Sequence, residues 1–358
     1  MHSRSRSGGS QAQTKPSTYH EIRPRVWSRR KLCWRYISRS RRHKSPPADA
    51  DSEGTPSPDT AHFSFRPRPA SRSRSRSRSR GRGAAPASEG PIPESLQLLT
   101  WNIDAMGGST RERVATLLNY IQHHIFECAD GGQPAPCCVL LQEVAKDALP
   151  AILEHVWVRE HFVVAPSKPE HWPGGVPFGN VTLVARTVPV AGAWILEYGC
   201  SVMKRHALIV DVRLGTGAAA DGERTVRVAN VHLESLALGA PYRLWQLRDT
   251  VEALARRDID AGIVAGDMNA VTANDAALPA WAGLADAWKG AEDGGGNTWG
   301  YQPPSREFLP GRLDKVLYLP NGEFEVNVPE RVGVGVKTSG GQWASDHFGL
   351  LTTIRMLA

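Results

Sequence analysis

Residues 259–270 read Ile-Asp-Ala-Gly-Ile-Val-Ala-Gly-Asp-Met-Asn-Ala. The apolar run 263–265 predicts a short buried strand that stops at Gly266. Asp267 and Asn269 follow two residues apart, and side chains at positions i and i+2 of an extended chain point the same way. The same two residues could instead make an ordinary Asx turn. The pattern therefore indicates a functional site only if other strand ends bring similar groups to the same place.

Other predicted strands do carry polar groups at or next to their ends. These residues are Asn102, Glu143, His232, Asp346 and His347. A further acid, Asp314, lies inside a strand predicted at 311–318. Together with Asp267 and Asn269, the set holds carboxylates, carboxamides and imidazoles, and it holds no cysteine. Oxygen-rich sets of this kind favour hard cations such as Mg²⁺, whereas zinc more usually recruits cysteine or additional histidine.

This combination of groups suits the attack of water on a phosphate ester. The cation neutralises the non-bridging oxygens, the imidazoles donate hydrogen bonds to them, and a carboxylate activates the water. Each residue also has a structural interpretation. Asn102 could form a turn, Glu143 could have a structural partner, His232 could be a satisfied core histidine, and Asp346 with His347 could cap the last strand. Asp314 could pair with Arg312 or Lys315.

The order of the predicted elements indicates an α+β fold, with two sheets packed face to face and helices outside. Strands are predicted at 96–100, 138–143, 181–185, 207–212, 225–231, 263–265 and 311–318 and after Ser345. Amphipathic periodicity predicts helices at 110–126 and 241–256, and a further helix is predicted at 148–158. Residues 93–358 are expected to form one domain.

Charge divides the chain in two. Residues 1–90 hold 21 basic and 6 acidic side chains, whereas the remaining residues hold 22 basic and 30 acidic ones. The first part is also rich in Pro, with Arg-Ser repeats at 71–80, so residues 1–92 are predicted to be a disordered basic tail. The tail could direct the protein to the nucleus, contact RNA, be phosphorylated or act as a plain linker. We expect that residues 1–90 can be deleted without loss of catalysis.

One island in the tail, Val26–Tyr36, mixes basic and aromatic residues and could contact nucleic acid by stacking and charge. The five cysteines show no Cys-x-x-Cys spacing, which argues against a zinc module and for a reducing compartment. No apolar stretch approaches the roughly 20 residues that span a bilayer, and no secretory signal is present. We therefore expect an intracellular protein that does not enter membranes.

Six motifs, taken in order, resemble the endonuclease/exonuclease/phosphatase superfamily. They are Thr100-Trp101-Asn102, Leu141-Gln142-Glu143, His232-Leu233-Glu234-Ser235, Gly266-Asp267-Met268-Asn269, Arg312-Leu313-Asp314 and Ser345-Asp346-His347. Within the superfamily the chain is most similar to the tyrosyl-DNA phosphodiesterase 2 family, which acts on 5′ ends. That further similarity includes Arg243, Gln246-Leu247 and Thr298-Trp299.

The resemblance implies a four-layer α/β sandwich of the DNase I-like type, with the site at one end of the two sheets. It places Asn102 and Glu143 at a Mg²⁺ ion, for which Mn²⁺ substitutes, with Asp346 supporting the ion from just outside its direct ligands. Asp267 becomes the base or water-orienting group, with help from Asn269. The resemblance also implies that His232, Ser235 and His347 contact the scissile phosphate. Asp314 would orient His347, and Trp299 would contact a nucleobase. Trp299 could also be a buried core residue.

The implied function is hydrolysis of 5′-phosphotyrosyl adducts, of the topoisomerase type, from DNA ends. The implied partner is DNA with blocked 5′ ends, and a nuclear monomer is expected, with a cytoplasmic fraction left open. Because residues 93–358 are acidic, a local basic patch around Lys204-Arg205-His206 would have to contact phosphates, with Arg205 as a substrate-binding residue.

The sequence also departs from the resemblance. The family has Thr where Met268 stands and Leu-Arg where Ala270-Val271 stands, so a phosphate- or peptide-side contact is in doubt. Residues 1–92 show no ubiquitin-binding helical domain. Other activities of the superfamily therefore stay open: apurinic-site endonuclease, RNA exonuclease, or phosphoinositide or sphingolipid phosphatase. A further alternative is an inactive scaffold that associates with RNA through the Arg-Ser tail.

Overall fold

Sixteen strands and five α-helices make up the computed structural model, which describes residues 15–37, 91–216, 222–290 and 294–357. The strands are β1 Thr18–Ile22, β2 Arg25–Ser28, β3 Cys33–Tyr36, β4 Ser95–Asn102, β5 Cys137–Ala145, β6 Phe162–Ala165, β7 Phe178–Ala185, β8 Val190–Glu197, β9 His206–Gly215, β10 Glu223–His232, β11 Ala261–Asp267, β12 Ala285–Asp286, β13 Asp314–Tyr318, β14 Phe324–Val326, β15 Glu330–Val332 and β16 Gly349–Met356. The helices are α1 Thr110–Tyr120, continued by a π-helical turn at Ile121–Ile125, then α2 Leu149–Glu154, α3 Val156–His161, α4 Ala240–Leu254 and α5 Leu278–Trp281. Short 3₁₀ turns occur at Pro169–His171, Ala237–Gly239 and Ala273–Ala277.

The strands form two mixed sheets. The seven-stranded sheet has the order β1-β8-β9-β10-β11-β13-β12, and only the β10–β11 pair in it is parallel. The nine-stranded sheet has the order β14-β16-β4-β5-β7-β6-β2-β3, with β15 also paired to β16, and β4–β5 is its parallel pair. Each sheet thus places one parallel pair near its centre, where both faces are covered.

Helices cover the outer face of each sheet, which gives four layers. In β11, Ile263 belongs to the core between the sheets, whereas Val264 belongs to a second core with Leu247 and Leu254 of α4. On the other side, Trp101 of β4 meets Tyr120 of α1 edge to face, with ring centroids 6.0 Å apart. The predicted α+β sandwich of two mixed sheets with helices outside is confirmed.

A buried network of carboxamides joins the two sheets. Gln142 Nε2 of β5 donates to Asn230 Oδ1 of β10 at 2.8 Å and to Thr100 Oγ1 at 3.0 Å. Asn230 Nδ2 in turn donates to the carbonyls of Leu141 and Val181, both at 3.1 Å. Because these groups are fully buried, each hydrogen bond depends on the position of one sheet against the other. The network therefore fixes how the strand ends of the two sheets line up.

The prediction that residues 1–92 form a disordered tail is wrong for residues 15–37. β1 extends the seven-stranded sheet by pairing with β8, and the β2–β3 hairpin extends the nine-stranded sheet by pairing with β6. Backbone pairing and the burial of Ile22 order this segment despite its polar composition. The predicted domain boundary at residue 93 therefore moves, and deletion of residues 1–90 would remove three strands. The rest of the predicted tail, residues 1–14 and 38–90, including the Arg-Ser repeats, lies outside the described residues.

Most predicted elements occur with shifted ends. The helix predicted at 110–126 continues through the π-helical turn, and the segment predicted at 148–158 divides into α2 and α3. The strand predicted at 311–318 begins only at Asp314, so this acid lies at a strand end rather than inside the strand. Among the described residues, no helix is both long enough and apolar enough to cross a bilayer.

Replacement of Asn230 by Ala tests the amide network. The change leaves Gln142 Nε2 without one acceptor and two buried carbonyls without their donor, so we expect the free energy of unfolding to fall by about 2–4 kcal/mol. Urea denaturation measures this. Gln133→Ala, at an exposed carboxamide, is the control and should change stability by less than about 0.5 kcal/mol. A fall below about 1 kcal/mol in Asn230→Ala would show that the network does not hold the sheets together.

Candidate active site

Strand register brings the predicted site residues together at one end of the sandwich. In the seven-stranded sheet, His232 lies opposite Asp267 across the β10–β11 pair, and Asp267 lies opposite Asp314 across the β11–β13 pair. In the nine-stranded sheet, β4 ends on Asn102, and Glu143 lies in the neighbouring strand β5. Residues from both sheets therefore meet at their ends, as the sequence pattern predicts.

Gly266 is required for the close approach of β10 and β11. Its φ is +144°, and a Cβ atom built on it would lie 1.9 Å from the carbonyl oxygen of Val231. Only glycine fits a position with both constraints. The glycine in Gly-Asp-Met-Asn therefore allows Asp267 to stand directly beside His232.

A bulge in β5 redirects Glu143. The register of β5 against β7 shifts between Leu141 and Val144, and Glu143 has a φ of +55°. Asn269 also has a positive φ, +48°. Positive φ costs a non-glycine residue of the order of 1–3 kcal/mol and is found where the surroundings require it. Here it turns both side chains towards the same centre.

The Asn102 carboxamide joins the carboxylates of the two sheets. Its Nδ2 donates to Glu143 Oε1 at 3.1 Å and to Asp267 Oδ2 at 3.0 Å. Its Oδ1 accepts from the backbone N–H of Asp104 at 3.0 Å, and the N–H of Ala105 donates to Glu143 Oε2 at 2.9 Å. The loop after β4 therefore holds both side chains in place.

His232 faces this centre from the seven-stranded sheet. Its Nε2 lies 3.5 Å from Asp267 Oδ2 and 3.7 Å from Glu143 Oε1. Its Nδ1 lies 2.9 Å from Arg205 Nη1. Because a guanidinium can only donate, Nδ1 is the acceptor and the ring proton is on Nε2. His232 thus presents an N–H group to the centre of the site.

Arg205 continues this arrangement towards Ser235 and Asn269. Its Nη2 donates to Ser235 Oγ at 3.0 Å, and Ser235 Oγ donates to Asn269 Oδ1 at 2.9 Å. The N–H of Asn269 donates to Asp267 Oδ1 at 2.8 Å, so the Asx turn considered as the plain alternative is present as well. Here the turn helps to aim Asp267.

His347 faces the centre from the opposite side. Its Nδ1–H donates to Asp314 Oδ2 at 2.7 Å, and its Nε2 lies 4.0 Å from Asp267 Oδ2 and 3.9 Å from Asp346 Oδ1. Trp299 is half-buried, and its Nε1 donates to Asp346 Oδ2 at 2.9 Å. All eleven predicted site residues are therefore part of one connected group.

The two imidazoles differ in charge. Burial lowers the pKa of His232 well below its usual value, and the charge of Arg205 lowers it further, so His232 is neutral. Burial alone would also lower the pKa of His347, but the carboxylates of Asp314, Asp267 and Asp346 outweigh it and raise the pKa well above the usual value. The site therefore favours the neutral form of His232 and the charged form of His347.

Burial shifts the pKa values of the carboxylates upwards. Burial, followed by the charge of Asp314, raises the pKa of Asp267 to about 7. Burial also raises the pKa of Glu143. A buried carboxylate whose ionised form is disfavoured in this way gains most from a nearby cation.

The donor set fits a hard divalent cation. Oxygen or ring nitrogen atoms of Glu143, His232 and Asp267 lie within 4.8 Å of one another, and so do those of Asp267, Asp314 and His347. Because Nδ1 of each imidazole is used in a hydrogen bond to Arg205 or Asp314, each histidine has only Nε2 left, and carboxylate oxygens outnumber ring nitrogens among the free atoms. That composition favours Mg²⁺-like ions over zinc.

Asp314 pairs with His347, while Arg312, one of its two predicted structural partners, pairs with Asp286 through a 2.8 Å contact of its Nη2. His206 contributes no charge to the predicted basic patch, because burial and the charge of Arg205 lower its pKa to about 4. The patch therefore reduces to Arg205 and the exposed Lys204.

Glu234 lies within the motif at residues 232–235, but the sequence alone does not predict a role for its side chain in the site. It is buried, and its carboxylate accepts hydrogen bonds from Ser201 Oγ at 2.7 Å and from the N–H groups of Val202 and Met203 at 3.0 and 2.8 Å. Ser201 Oγ in turn accepts from the N–H of Arg205 at 2.7 Å. Glu234 thus fixes the loop that carries Arg205 and acts on the site through it.

A family model described as Endonuclease/Exonuclease/phosphatase family matches residues 99–347, a range that includes every one of these site residues. The chain belongs to this family. The family fold indicates a hydrolase that acts on phosphoester bonds, and the predicted membership is confirmed. No curated protein matches the sequence.

Solved structures share the fold at low sequence identity. Truncated TDP2 from Caenorhabditis elegans is 20% identical with a TM-score of 0.56, over 73% of this chain and 97% of that one. D. rerio TDP2 complexed with single strand DNA product is 20% identical with a TM-score of 0.55, over 73% and 99%. Beta toxin from Staphylococcus aureus is 12% identical with a TM-score of 0.54, over 72% and 99%. The predicted likeness to TDP2 is confirmed for the fold.

Replacement of His347 by Ala should lower the turnover of a phosphodiester by roughly 10²-fold, because it removes one charged donor aimed at the centre of the site. Release of p-nitrophenol from thymidine 5′-p-nitrophenyl phosphodiester measures this. His123→Ala, which removes an exposed imidazole of the π-helical turn, should leave turnover unchanged. A decrease of less than tenfold in His347→Ala would reject a direct role for this imidazole.

Proposed function

We propose that the protein is a Mg²⁺-dependent phosphodiesterase that hydrolyses 5′-phosphotyrosyl adducts at DNA ends. The observation that carries the proposal is the meeting of a buried carboxylate, Asp267, with two buried imidazoles, whose Nε2 atoms lie 3.5 Å (His232) and 4.0 Å (His347) from its Oδ2. The shared fold with TDP2 supports the choice of substrate, since the D. rerio TDP2 structure holds a single-strand DNA product. The Arg-Ser repeats at 71–80 support a nuclear location, which a fluorescent fusion of the full chain would test.

In this mechanism Asp267 accepts a proton from the attacking water, and Asn269 holds Asp267 through its backbone N–H. Oxygen of that water bonds to phosphorus as the bond from phosphorus to the tyrosyl oxygen breaks. The leaving phenolate has a pKa near 10 in its protonated form, so it needs little help to depart. The products are a 5′-phosphate and a tyrosine side chain.

The N–H donors stabilise the charge that builds up on phosphate oxygens. His347 donates as an imidazolium that Asp314 orients, and His232 donates from Nε2 in the tautomer that Arg205 sets. Ser235 contacts the same phosphate group. These donors are already in place, so no reorganisation is required at the moment of reaction.

The residues that would hold the metal ion are Glu143 and Asn102, with Asp346 supporting them. When bound, a divalent cation supplies neutralisation of the phosphate charge. Trp299 lies next to Asp346 with part of its ring exposed, where it could stack on a nucleobase. Met268 is buried and Val271 is half-exposed, and neither is cationic like the Arg that the family carries here; Arg205 is the cationic side chain that contacts His232 and Ser235.

A substrate panel tests the function. The panel compares 5′-phosphotyrosyl DNA, 3′-phosphotyrosyl DNA, an abasic duplex, poly(A) RNA and an inositol phosphate, each with Mg²⁺. We expect the highest kcat/KM for 5′-phosphotyrosyl DNA. Preference for another substrate would assign that activity of the superfamily instead, and no turnover of any substrate with Mg²⁺ or Mn²⁺ would support an inactive scaffold.

Replacement of Glu143 by Gln tests the metal site. The change keeps the shape of the side chain but removes the charge that a hard cation needs, so the Mg²⁺ concentration for half-maximal activity should rise at least tenfold. Glu154→Gln, which neutralises an exposed acid on α2, serves as the control. An unchanged Mg²⁺ titration in Glu143→Gln would remove Glu143 from the metal site.

A further inference from the structure

The N-terminal segment crosses from one sheet to the other at one edge of the sandwich. β1 lies on the edge of the seven-stranded sheet, and β2 lies beside β6 in the nine-stranded sheet. Only Arg23 and Pro24 connect the two strands. Residues 15–37 hold seven basic side chains and one acidic side chain. This edge is therefore strongly basic, although residues 91–358 together are acidic.

An exposed aromatic ring stands among these charges. Tyr36, the last residue of β3, is 47% exposed. Arg25 Nη2 donates to its hydroxyl at 2.8 Å, with the guanidinium carbon 4.4 Å from the ring centroid, and the guanidinium carbon of Arg23 lies 5.8 Å from the same centroid. The hydrogen bond from Arg25 and the charges of Arg25, Lys168 and Arg23 lower the pKa of Tyr36. The four side chains therefore form one cluster, here called the Tyr36 cluster.

Strand register places the Tyr36 cluster on the same side of the molecule as the candidate active site. Arg25 pairs with Val164 of β6, and Val164 pairs with Leu183 of β7. Five residues along β7 and two strands across the sheet therefore separate Arg25 from Phe178. This amounts to roughly 19 Å at the usual strand spacings. The ring of Phe178 stacks near His232, with centroids 6.1 Å apart.

A small cleft adjoins the candidate active site, and its lining includes Phe178, Lys204, Arg205 and His232. Lys204 Nζ donates to the carbonyl of Gly174 at 2.7 Å, which joins the loop after β6 to the rim of the cleft. Lys168 lies near the start of the same loop. This loop therefore carries one basic side chain near Tyr36 and contacts another, Lys204, at the cleft.

We propose that the Tyr36 cluster binds the single-stranded part of the substrate, a few nucleotides from the scissile phosphodiester, with a base stacked on Tyr36 and phosphates held by Arg23, Arg25 and Lys168. This proposal rests on the proposed action on DNA ends. A single strand is favoured over a duplex because paired bases are stacked on each other and offer no free face to an exposed ring. Anionic lipid is disfavoured, because the guanidinium groups of Arg23 and Arg25 surround the ring of Tyr36, and Leu32, an exposed apolar side chain of the same hairpin, lies at its far turn.

Cleavage of long and short substrates tests the proposal in the full chain. The variant Arg23→Gln/Arg25→Gln/Tyr36→Ser is compared with Arg29→Gln/Arg30→Gln/Leu32→Ser, which removes two charges and one exposed side chain at the far turn of the same hairpin. For a 12-nucleotide 5′-phosphotyrosyl substrate, the first variant should lower kcat/KM by about tenfold, the value of one base stack. For a dinucleotide it should change kcat/KM by less than twofold. The second variant should behave as the wild type on both.

Salt dependence gives an independent measure. Because the first variant removes two guanidinium groups that hold phosphates, its slope of log(kcat/KM) against log[salt] for the 12-nucleotide substrate should become shallower by about 1.4. The slope of the second variant should match that of the wild type. The proposal would be overturned if the first variant lowered kcat/KM equally for both substrate lengths. It would also be overturned if the two variants had equal effects or if neither had an effect. Thermal unfolding at an unchanged temperature verifies that the variants are folded.

A binding experiment tests the Tyr36 cluster even if the proposed enzymatic function is wrong. If the wild type cleaves neither substrate, binding of fluorescein-labelled dT12 by anisotropy still decides the matter, because it requires no catalysis. A Kd raised about tenfold in the first variant and unchanged in the second would support the Tyr36 cluster as a single-strand surface. An unchanged Kd of the first variant for dT12 would overturn the proposal. Weaker binding of that variant to anionic phosphatidylserine vesicles, with dT12 binding unchanged, would indicate a lipid surface instead and would also overturn it.

Discussion

The buried hydrogen-bond network of Gln142 and Asn230 fixes the position of one sheet against the other, and the site depends on that position. Glu143 and Asn102 belong to the nine-stranded sheet, whereas His232, Asp267 and Asp314 belong to the seven-stranded sheet. Apolar side chains between the sheets bind without direction and tolerate sliding, but buried carboxamides do not, since a shift leaves donors and acceptors unpaired. Gln142 and Asn230 precede the site residues Glu143 and His232 by one and two positions. The network therefore sets the positions of the catalytic groups as well as stabilising the fold.

Burial is the first effect on the pKa values of the imidazoles and carboxylates in the site. It disfavours the charged form of every group, which alone would leave two neutral imidazoles and protonated acids. The carboxylates around His347, Asp314 above all, break this symmetry by raising the pKa of His347, whereas burial and then Arg205 both lower the pKa of His232. Donors of different charge then face a carboxylate whose pKa is raised to about 7. Such a set can both remove a proton from water and stabilise a more negative phosphate.

The sequence predicts the centre of the fold better than its edges. Central strands bury both faces, so their apolar runs and the polar residues at their ends are visible in the sequence, as for Asp267 and His232. β1–β3 are not predicted, because edge strands gain their order from backbone pairing with β8 and β6, which no local pattern records. The bulge at Glu143 and the role of Glu234 escape prediction for a similar reason, because each depends on a neighbouring strand or loop. Arg205 is expected from charge alone, while its hydrogen bonds to His232 and Ser235 require the three-dimensional arrangement.

The chain enters the folded domain twice. It passes through β1, β2 and β3, leaves at Ile37, and returns at residue 91 to form β4, so both ends of the segment 38–90 are attached to the same body. The Arg-Ser repeats are thus part of an internal insertion and not of a free end. A single proteolytic cut within the insertion would leave one part joined to β3 and the other to β4, and two cuts, one near each attachment point, would be needed to release the repeats.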